Sequence, residues 1–321
     1  MALLYLKRKD KKQKKNIKGK REYKMSFLIS QNAFLGAIES GLIYGFVALG
    51  IFISFRILEF PDLTVEGSFP MGAAIAVPLL TYGLNPWIVL LITAIAGALA
   101  GSMTAALNQI GKIPNLLASI LVGTALYSVN LHILNGANMP LMTDNTIFTP
   151  FAQLGWSMIY IRPIVLALCA LMIIIALWRY FISHIGLAMR ASGENLNMSR
   201  AQGINTSVQI FIGMALSNAL VAIAGALYAQ VNHYADSSLG IGTIVLGLAA
   251  VIIGNSFLPT KHMFFCFFGC VIGSILYWII VAFALNGIPG MTPYDLNLIT
   301  ALLIALILIG AKKFGRGMPI E

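Results

Sequence analysis

Two carboxylates four residues apart, Asp62 and Glu66, stand in the stretch FPDLTVEGSFPMGAA (residues 60–74), between apolar runs long enough to cross a bilayer. A third, Glu39, falls inside the first of those runs beside Ser40 and Tyr44. A carboxylate at membrane depth is costly unless it faces a cavity or a partner. The chemistry open to such groups is to bind and release a cation, to hold a polar part of a solute, or to tie helices together. On any helical turn the i,i+4 spacing points Asp62 and Glu66 the same way. Pro61 disfavours helix for Phe60 and lacks an amide proton, and Gly67 loosens the turn after it. Backbone groups released in this way are tolerated at membrane depth only against protein or a water-filled cavity. Residues 60–72 are therefore expected to form a break before the second span, with Asp62, Thr64, Glu66, Gly67 and Ser68 lining a solute path or its cytoplasmic gate. Amides freed near Glu66–Phe69 would then meet a carboxylate or another polar group of the solute. The plainer alternative puts both acids in cytoplasmic water, with Asp62 capping the next helix. Ser217 and Asn218, inside a later apolar run, either bridge helices or, for Asn218, touch the solute. Glu39 has two options of the same kind, a functional acid or a hydrogen-bonded structural group.

The elements that must position these groups are helices. The chain is 59% hydrophobic and 10% charged, with a mean hydropathy of +0.86, against about 25% charged residues in soluble domains. Apolar runs long enough to span hydrocarbon recur to the C-terminus, which excludes a lone signal peptide. The expected fold is all-α and polytopic, with about nine (eight to ten) spans near 27–54, 67–83, 86–108, 115–134, 163–182, 207–230, 240–257, 263–285 and 295–311. Residues 25–321 form one transmembrane domain embedded in the lipid bilayer.

The net charge of +10 is concentrated in residues 1–24, which hold eleven Lys/Arg against Asp10 and Glu22. The rest is close to neutral, so nothing there points to nucleic acid. The run reads as a solvated, disordered tail, with a lipid-binding arm as the alternative; Met25 is another candidate start. Beyond it, Arg56, Lys112, Arg179, Arg190, Arg200, Lys261, Lys312, Lys313 and Arg316 fall on one side and Arg162 on the other, with Asp144, Asp236 and Asp295. By the positive-inside rule the first group is cytoplasmic, which puts the start of the first span outside. Cys266 and Cys270 share a helix face without His or carboxylate neighbours, so they read as packing residues and no metal site is expected. Trp87, Trp156 and Trp178 lie near span ends as interfacial anchors, while Trp278 lies deeper and packs. Asn130 and His132 read as a satisfied, partly wet interface at the end of the fourth span.

The most polar cytoplasmic connection is GLAMRASGENLNMSRAQGIN, residues 186–205. Ser192 is a candidate cap, Glu194 suits a first turn and Gly203 a left-handed stop, so Glu194 to Gln202 reads as a short helix between two spans. A rigid helix at a membrane face suits a transporter that receives a push from a soluble motor; an amphipathic interfacial turn is the other reading.

Three motifs in order, VALGIFISFRILEFPDLTVEGSFPMGAA, GLAMRASGEN followed by AQGIN, and GLAAVIIGNSF, resemble those of ATP-binding cassette importer permeases of the branched-chain amino acid and ribose permease family. The likeness is greatest to a branch of tryptophan/tyrosine-type permeases and covers most of residues 30–311. It implies a permease subunit in a bacterial cytoplasmic (inner) membrane, moving a small solute such as an amino acid. It also implies a second permease copy, cytoplasmic ATPases that use ATP–Mg, and a solute-binding protein on the outer face. The coupling element would be Arg190, Ala191, Ser192, Gly193, Glu194, Asn195, Leu196, Asn197, Met198, Ser199, Arg200 and Gly203. The outer segment 135–162 would be the dock for the binding protein, with Asp144 a contact. The chain has no G-x-x-x-x-G-K-[ST] motif, so this subunit is expected to hold no cofactor and to be no enzyme on its own. Rival readings are an ion-coupled secondary transporter and a membrane scaffold.

Overall fold

The computed structural model describes residues 31–152, 157–258, 262–287, 299–302 and 305. The basic stretch 1–24, Trp156 and most of the ninth expected span lie outside these residues. The chain runs α1 (Gln31–Ile51, prolonged by a π-helical turn, Phe52–Ile57), α2 (Val65–Thr81), α3 (Pro86–Gln109), α4 (Asn115–Leu134), β1 (Asn138–Pro140), α5 (Thr149–Ala152), α6 (Met158–Ile182), α7 (His184–Glu194), α8 (Leu196–Ala201), α9 (Thr206–Asn232), β2 (Tyr234–Asp236), α10 (Thr243–Phe257) and α11 (Met263–Gly287). Local chemistry sets several boundaries. Asn85 caps α3 by accepting from the Trp87 amide at 2.9 Å, with Pro86 at the first helical position. Asn135 and His233 end α4 and α9 in the left-handed conformation, with φ of 51° and 60°.

Among the described residues, six helices are long and apolar enough to cross a membrane: α1 with its π turn, α3, α4, α6, α9 and α11. Two apolar helices are shorter, α2 with 17 residues and α10 with 15. At the rise of an α-helix they reach roughly 26 and 22 Å, short of a hydrocarbon core of about 30 Å. In chain order these eight helices occupy eight of the nine expected runs.

The bundle has two distinguishable ends. At one, Gln31 donates to the Tyr160 hydroxyl at 3.1 Å and β1 pairs antiparallel with β2. At the other, Ser207 donates to Gln109 at 2.8 Å and α7 packs against the end of α1. The basic positions 56, 112, 179, 190 and 200 belong to this second end, and Arg162, Asp144 and Asp236 to the first. Since α1 crosses the bundle as one helix, Gln31 stands at the end opposite the basic one, as the loop charges require.

α1 and α9 form the centre. In α1 83% of the apolar stretch is buried, against 28% in α4, which therefore turns most of its surface outward. Small residues let α9 approach its neighbours backbone to backbone. A β-carbon on Gly72 of α2 would overlap the carbonyl of Ala222, and one on Gly101 of α3 that of Met214.

The helix break differs from the expected one. The chain leaves the π turn after Ile57 and resumes helix at Val65, so only residues 58–64 are irregular and residues 65–72 are regular helix. Glu59 takes a left-handed φ of 52° there, and the Phe60 amide hooks back to the Ser54 carbonyl at 2.9 Å. Pro61 lies inside this irregular segment, four residues beyond the end of the π turn at Ile57. Gly67 sits in the first turn of α2, whereas Pro70 lies inside the helix, where it withholds the amide that would otherwise bond the Glu66 carbonyl.

Candidate functional site

The irregular segment 58–64 carries Asp62 into the middle of the bundle, where it meets α9. Asn218 Nδ2 donates to Asp62 Oδ2 at 2.7 Å and to the Met214 carbonyl at 3.2 Å, while its Oδ1 accepts from Ser68 Oγ at 2.7 Å. The second Asp62 oxygen accepts the Thr64 amide at 2.9 Å, and the Thr64 and Thr104 hydroxyls lie 2.7 Å apart. Asp62, Thr64, Ser68, Thr104 and Asn218 are all fully buried. The result is a closed polar clamp joining the helix break to α3 and α9, with its donors and acceptors matched. The plainer reading of Asp62 meets a correction: it is enclosed in protein rather than in water, and it accepts from Thr64, the residue before α2, rather than from an amide within the helix.

Glu66 takes the other direction. It lies in the first turn of α2 and accepts the Gly242 amide at 3.1 Å. A β-carbon at Gly240 would overlap the Glu66 carbonyl oxygen, so the turn before α10 lies flat on this helix start. Asp62 and Glu66 do not point the same way, because helix begins only at Val65 and the i,i+4 rule does not apply across the junction. The amides of Glu66, Gly67 and Ser68 are also not free for a solute: they donate to Leu63 and Thr64 carbonyls at 2.9–3.2 Å.

Glu66 and Gly67 line a cavity of about 260 Å³ with Pro70, Tyr127, Asn130 and Ile241 among its walls. Asn130 corrects its sequence reading. It is fully buried rather than partly wet, its Nδ2 donates to the Gly67 carbonyl at 3.2 Å, and its Oδ1 has no hydrogen-bond partner. Its position four turns into α4 gave no signal; only the approach of α2 to α4 at Gly67 reveals it. Glu39 is buried in α1 with Arg162 as its charged neighbour, and no hydrogen bond links it to Asp62 or Glu66 among the described residues. Ser217 bridges helices, donating to the Gly50 carbonyl at 2.8 Å.

At the basic end, the expected single helix from Glu194 to Gln202 is two. In α7 the cap is Ser183, whose Oγ accepts the Gly186 amide, while Ser192 lies inside the helix and donates to the Ala188 carbonyl at 2.8 Å. Glu194 ends α7 rather than opening a helix. Asn195 caps α8 through the Met198 amide at 2.9 Å. Asn195 is the stronger cap where three candidates compete, because its extended backbone (φ −155°, ψ 102°) breaks the helix at that residue. Gly203 is in the left-handed conformation as expected, with φ of 80°. Gly186, Met189, Ser192 and Ser199 face inward, and Leu187, Leu196, Asn197 and Met198 are exposed. A β-carbon on Gly193 would overlap the Ile57 carbonyl oxygen, so α7 sits directly on the π turn that precedes the break. A second cavity of about 340 Å³ opens here beside Arg56, Glu59, Arg190 and Glu194. Ala191 is half-buried, and Arg200 donates to the Thr206 hydroxyl at 2.9 Å.

Cys270 is buried and Cys266 half-buried, and among the described residues no group of His, Cys, Asp and Glu is arranged to hold a metal. Trp278 packs 5.2 Å from Tyr44 in the interior, as its position suggested.

A bundle of full-length and shortened apolar helices, with polar groups gathered at the break between them, is the construction of a membrane transport protein. A family model described as "Branched-chain amino acid transport system / permease component" matches residues 34–307, and the chain belongs to that family. The tyrosine transport system permease protein of Clostridioides difficile (strain R20291) is 35% identical over 278 residues, 86% of this chain and 90% of the relative. An uncharacterized protein of Rickettsia prowazekii (strain Madrid E) is 31% identical over 88% of this chain and 99% of its own length. The ribose import permease protein RbsC of Escherichia coli (strain K12) is 25% identical over 78% of this chain and 77% of the relative. The family indicated by the three motifs is thus the family found, and the chain is a multi-pass transport permease.

Proposed function

We propose that this chain is the membrane-spanning subunit of an ATP-binding cassette importer that brings an amino acid or related small solute across the bacterial inner membrane. A second permease copy completes the path, a solute-binding protein docks on the end bearing β1 and β2, and a separate cytoplasmic ATPase consumes ATP–Mg. The observation that carries this reading is the two-helix element α7–α8. Its inner face is locked on the π turn of α1 through Gly193, and its outer face leaves Leu196 and Met198 exposed at 43% and 55%. A push on that outer face is delivered to Ile57, one residue before the irregular segment that ends in the Asp62 clamp and the Glu66 cavity. Coupling therefore belongs to residues 190–203, solute contact to Glu66 and Gly67, and the fixed anchor between them to Asp62, Thr64, Ser68 and Asn218.

The test is co-purification of an ATPase with the chain and ATP-driven amino acid uptake into proteoliposomes holding both. Scrambling residues 195–201 is expected to abolish both, and ATP depletion with the ion gradient held is expected to stop uptake. Uptake that survives ATP depletion would reject the importer in favour of an ion-coupled transporter.

A further inference from the structure

We infer that the cavity beside Glu66 recognises the protonated primary amine of the transported solute, through the Glu66 carboxylate and the buried Asn130 carbonyl oxygen. This rests on the importer reading and adds to it the chemical group that the path selects.

Three of the donors there are engaged, and the hydroxyls of Tyr127 and Ser237 complete the wall. The Thr124 hydroxyl donates to the Ile120 and Leu121 carbonyls at 3.0 and 2.9 Å, and Asn130 Nδ2 to the Gly67 carbonyl. The Gly242 amide is taken by Glu66 itself. Two acceptors stand open, on Asn130 and Glu66. Asn130 Oδ1 is buried without a partner, and Glu66 has one carboxylate oxygen beyond the one that binds Gly242. The Gly67 bond fixes which way the Asn130 amide faces, because only the nitrogen can donate to that carbonyl. A buried acceptor left unmatched is costly, and a ligand that brings N–H groups relieves the cost. An ammonium has three donors and no acceptor, so it answers both open acceptors, whereas a carboxylate brings a donor to neither and is repelled by Glu66. Tyr127 in the same wall adds an aromatic ring, to which cations are attracted.

The experiment reads ligand chemistry without requiring transport. In the full chain with its ATPase in nanodiscs, Cys169, Cys266 and Cys270 are changed to Ala and Thr124→Cys is introduced as a reporter. Alkylation by N-ethylmaleimide is timed in the presence of n-butylammonium, n-butanol or butyrate at equal concentration. Ile241→Cys, 74% exposed on the facing wall, serves as a second reporter. Butylammonium is expected to slow both reactions while butanol and butyrate leave them unchanged. Glu66→Gln keeps the bond to Gly242 but removes the charge, and is expected to weaken protection roughly tenfold or more. Equal protection by butanol or butyrate, or protection unaffected by Glu66→Gln, would overturn the inference. ATP-driven amino acid uptake measured on the same preparation separates the two ideas. Uptake without selective protection sinks only the amine site, and selective protection without uptake sinks only the importer.

Discussion

Asp62 and Glu66 stand four positions apart, yet the fold gives them opposite surroundings. Asp62 is fully enclosed and bonded to Thr64 and Asn218. Glu66 shares a cavity with a buried oxygen that has no partner. The difference arises at Val65, where irregular backbone becomes helix. Before it, the chain is guided by hydrogen bonds to α9; after it, side chains follow the helix and reach α4 and the 240–242 turn. An acid with both oxygens bonded inside the protein holds the structure together, and an acid with one oxygen left facing a cavity is available to a ligand. Substituting the two should therefore produce different kinds of damage.

The largest effect is expected at Asp62. Asp62→Leu leaves one Asn218 Nδ2 hydrogen and the Thr64 N–H buried without acceptors, a loss of about 2–6 kcal/mol at roughly 1–3 kcal/mol for each orphaned donor. Thermal unfolding of the purified protein in detergent should show it, with little folded material recovered. Asp62→Leu combined with Asn218→Leu should be less damaging than the sum of the single changes, since both partners become apolar together. A stable Asp62→Leu protein that no longer transports would move Asp62 from the clamp to the solute path.

Gly193→Val tests whether the two acids share a mechanical input. The added side chain collides with the Ile57 carbonyl and lifts α7 off the end of α1. Uptake should fall more than roughly tenfold, since near-total loss follows from misplacing a packed contact by about 1 Å. ATP hydrolysis by the assembled complex should persist. Hydrolysis and uptake falling together would instead mean that the ATPase no longer docks.

Glu66→Gln sharpens the contrast from the other side. The amide oxygen still accepts from Gly242, so stability should change by no more than about 0.5 kcal/mol, as for substitutions away from buried networks. The KM for an amine-bearing solute should rise roughly tenfold, about the worth of a charge-assisted hydrogen bond.

Much of this arrangement could be read from residue order alone, and what could not has physical causes. Apolar runs locate eight helices because length and hydropathy are properties of each segment taken singly. Pro61 marks a break for the same reason. The direction of Glu66 is different in kind, since it depends on where helix restarts, and Gly67 and Pro70 are compatible with either side of that boundary. The coupling segment shows the same limit. Ser183, Ser192 and Asn195 all have capping side chains, and packing of Gly193 on Ile57 decides which of them ends a helix. Asn130 is the extreme case. Nothing in LYSVNLHIL separates a wet interfacial asparagine from a buried one, because the carbonyl that orients it is 63 residues away.

The smallest expected effect comes at the rim of the clamp. Thr104→Val removes one hydroxyl of the Thr64–Thr104 pair and substitutes a methyl of nearly equal volume. The remaining Thr64 hydroxyl loses its partner on α3, so the cost should be about 1 kcal/mol, the net worth of a neutral hydrogen bond. A fall in melting temperature with unchanged KM is the outcome that keeps clamp and cavity separate. They are close along the chain, since Thr64 precedes Glu66 by two residues, so the separation is not guaranteed by distance. It holds only if α2 is rigid from Val65 onward. Its amides at Glu66, Gly67 and Ser68 are taken up by Leu63 and Thr64 carbonyls, and the turn at Gly240 lies directly on Glu66, which together give it that rigidity. A raised KM in Thr104→Val would show instead that strain in the clamp is transmitted to the cavity, and that the two acids act as one device.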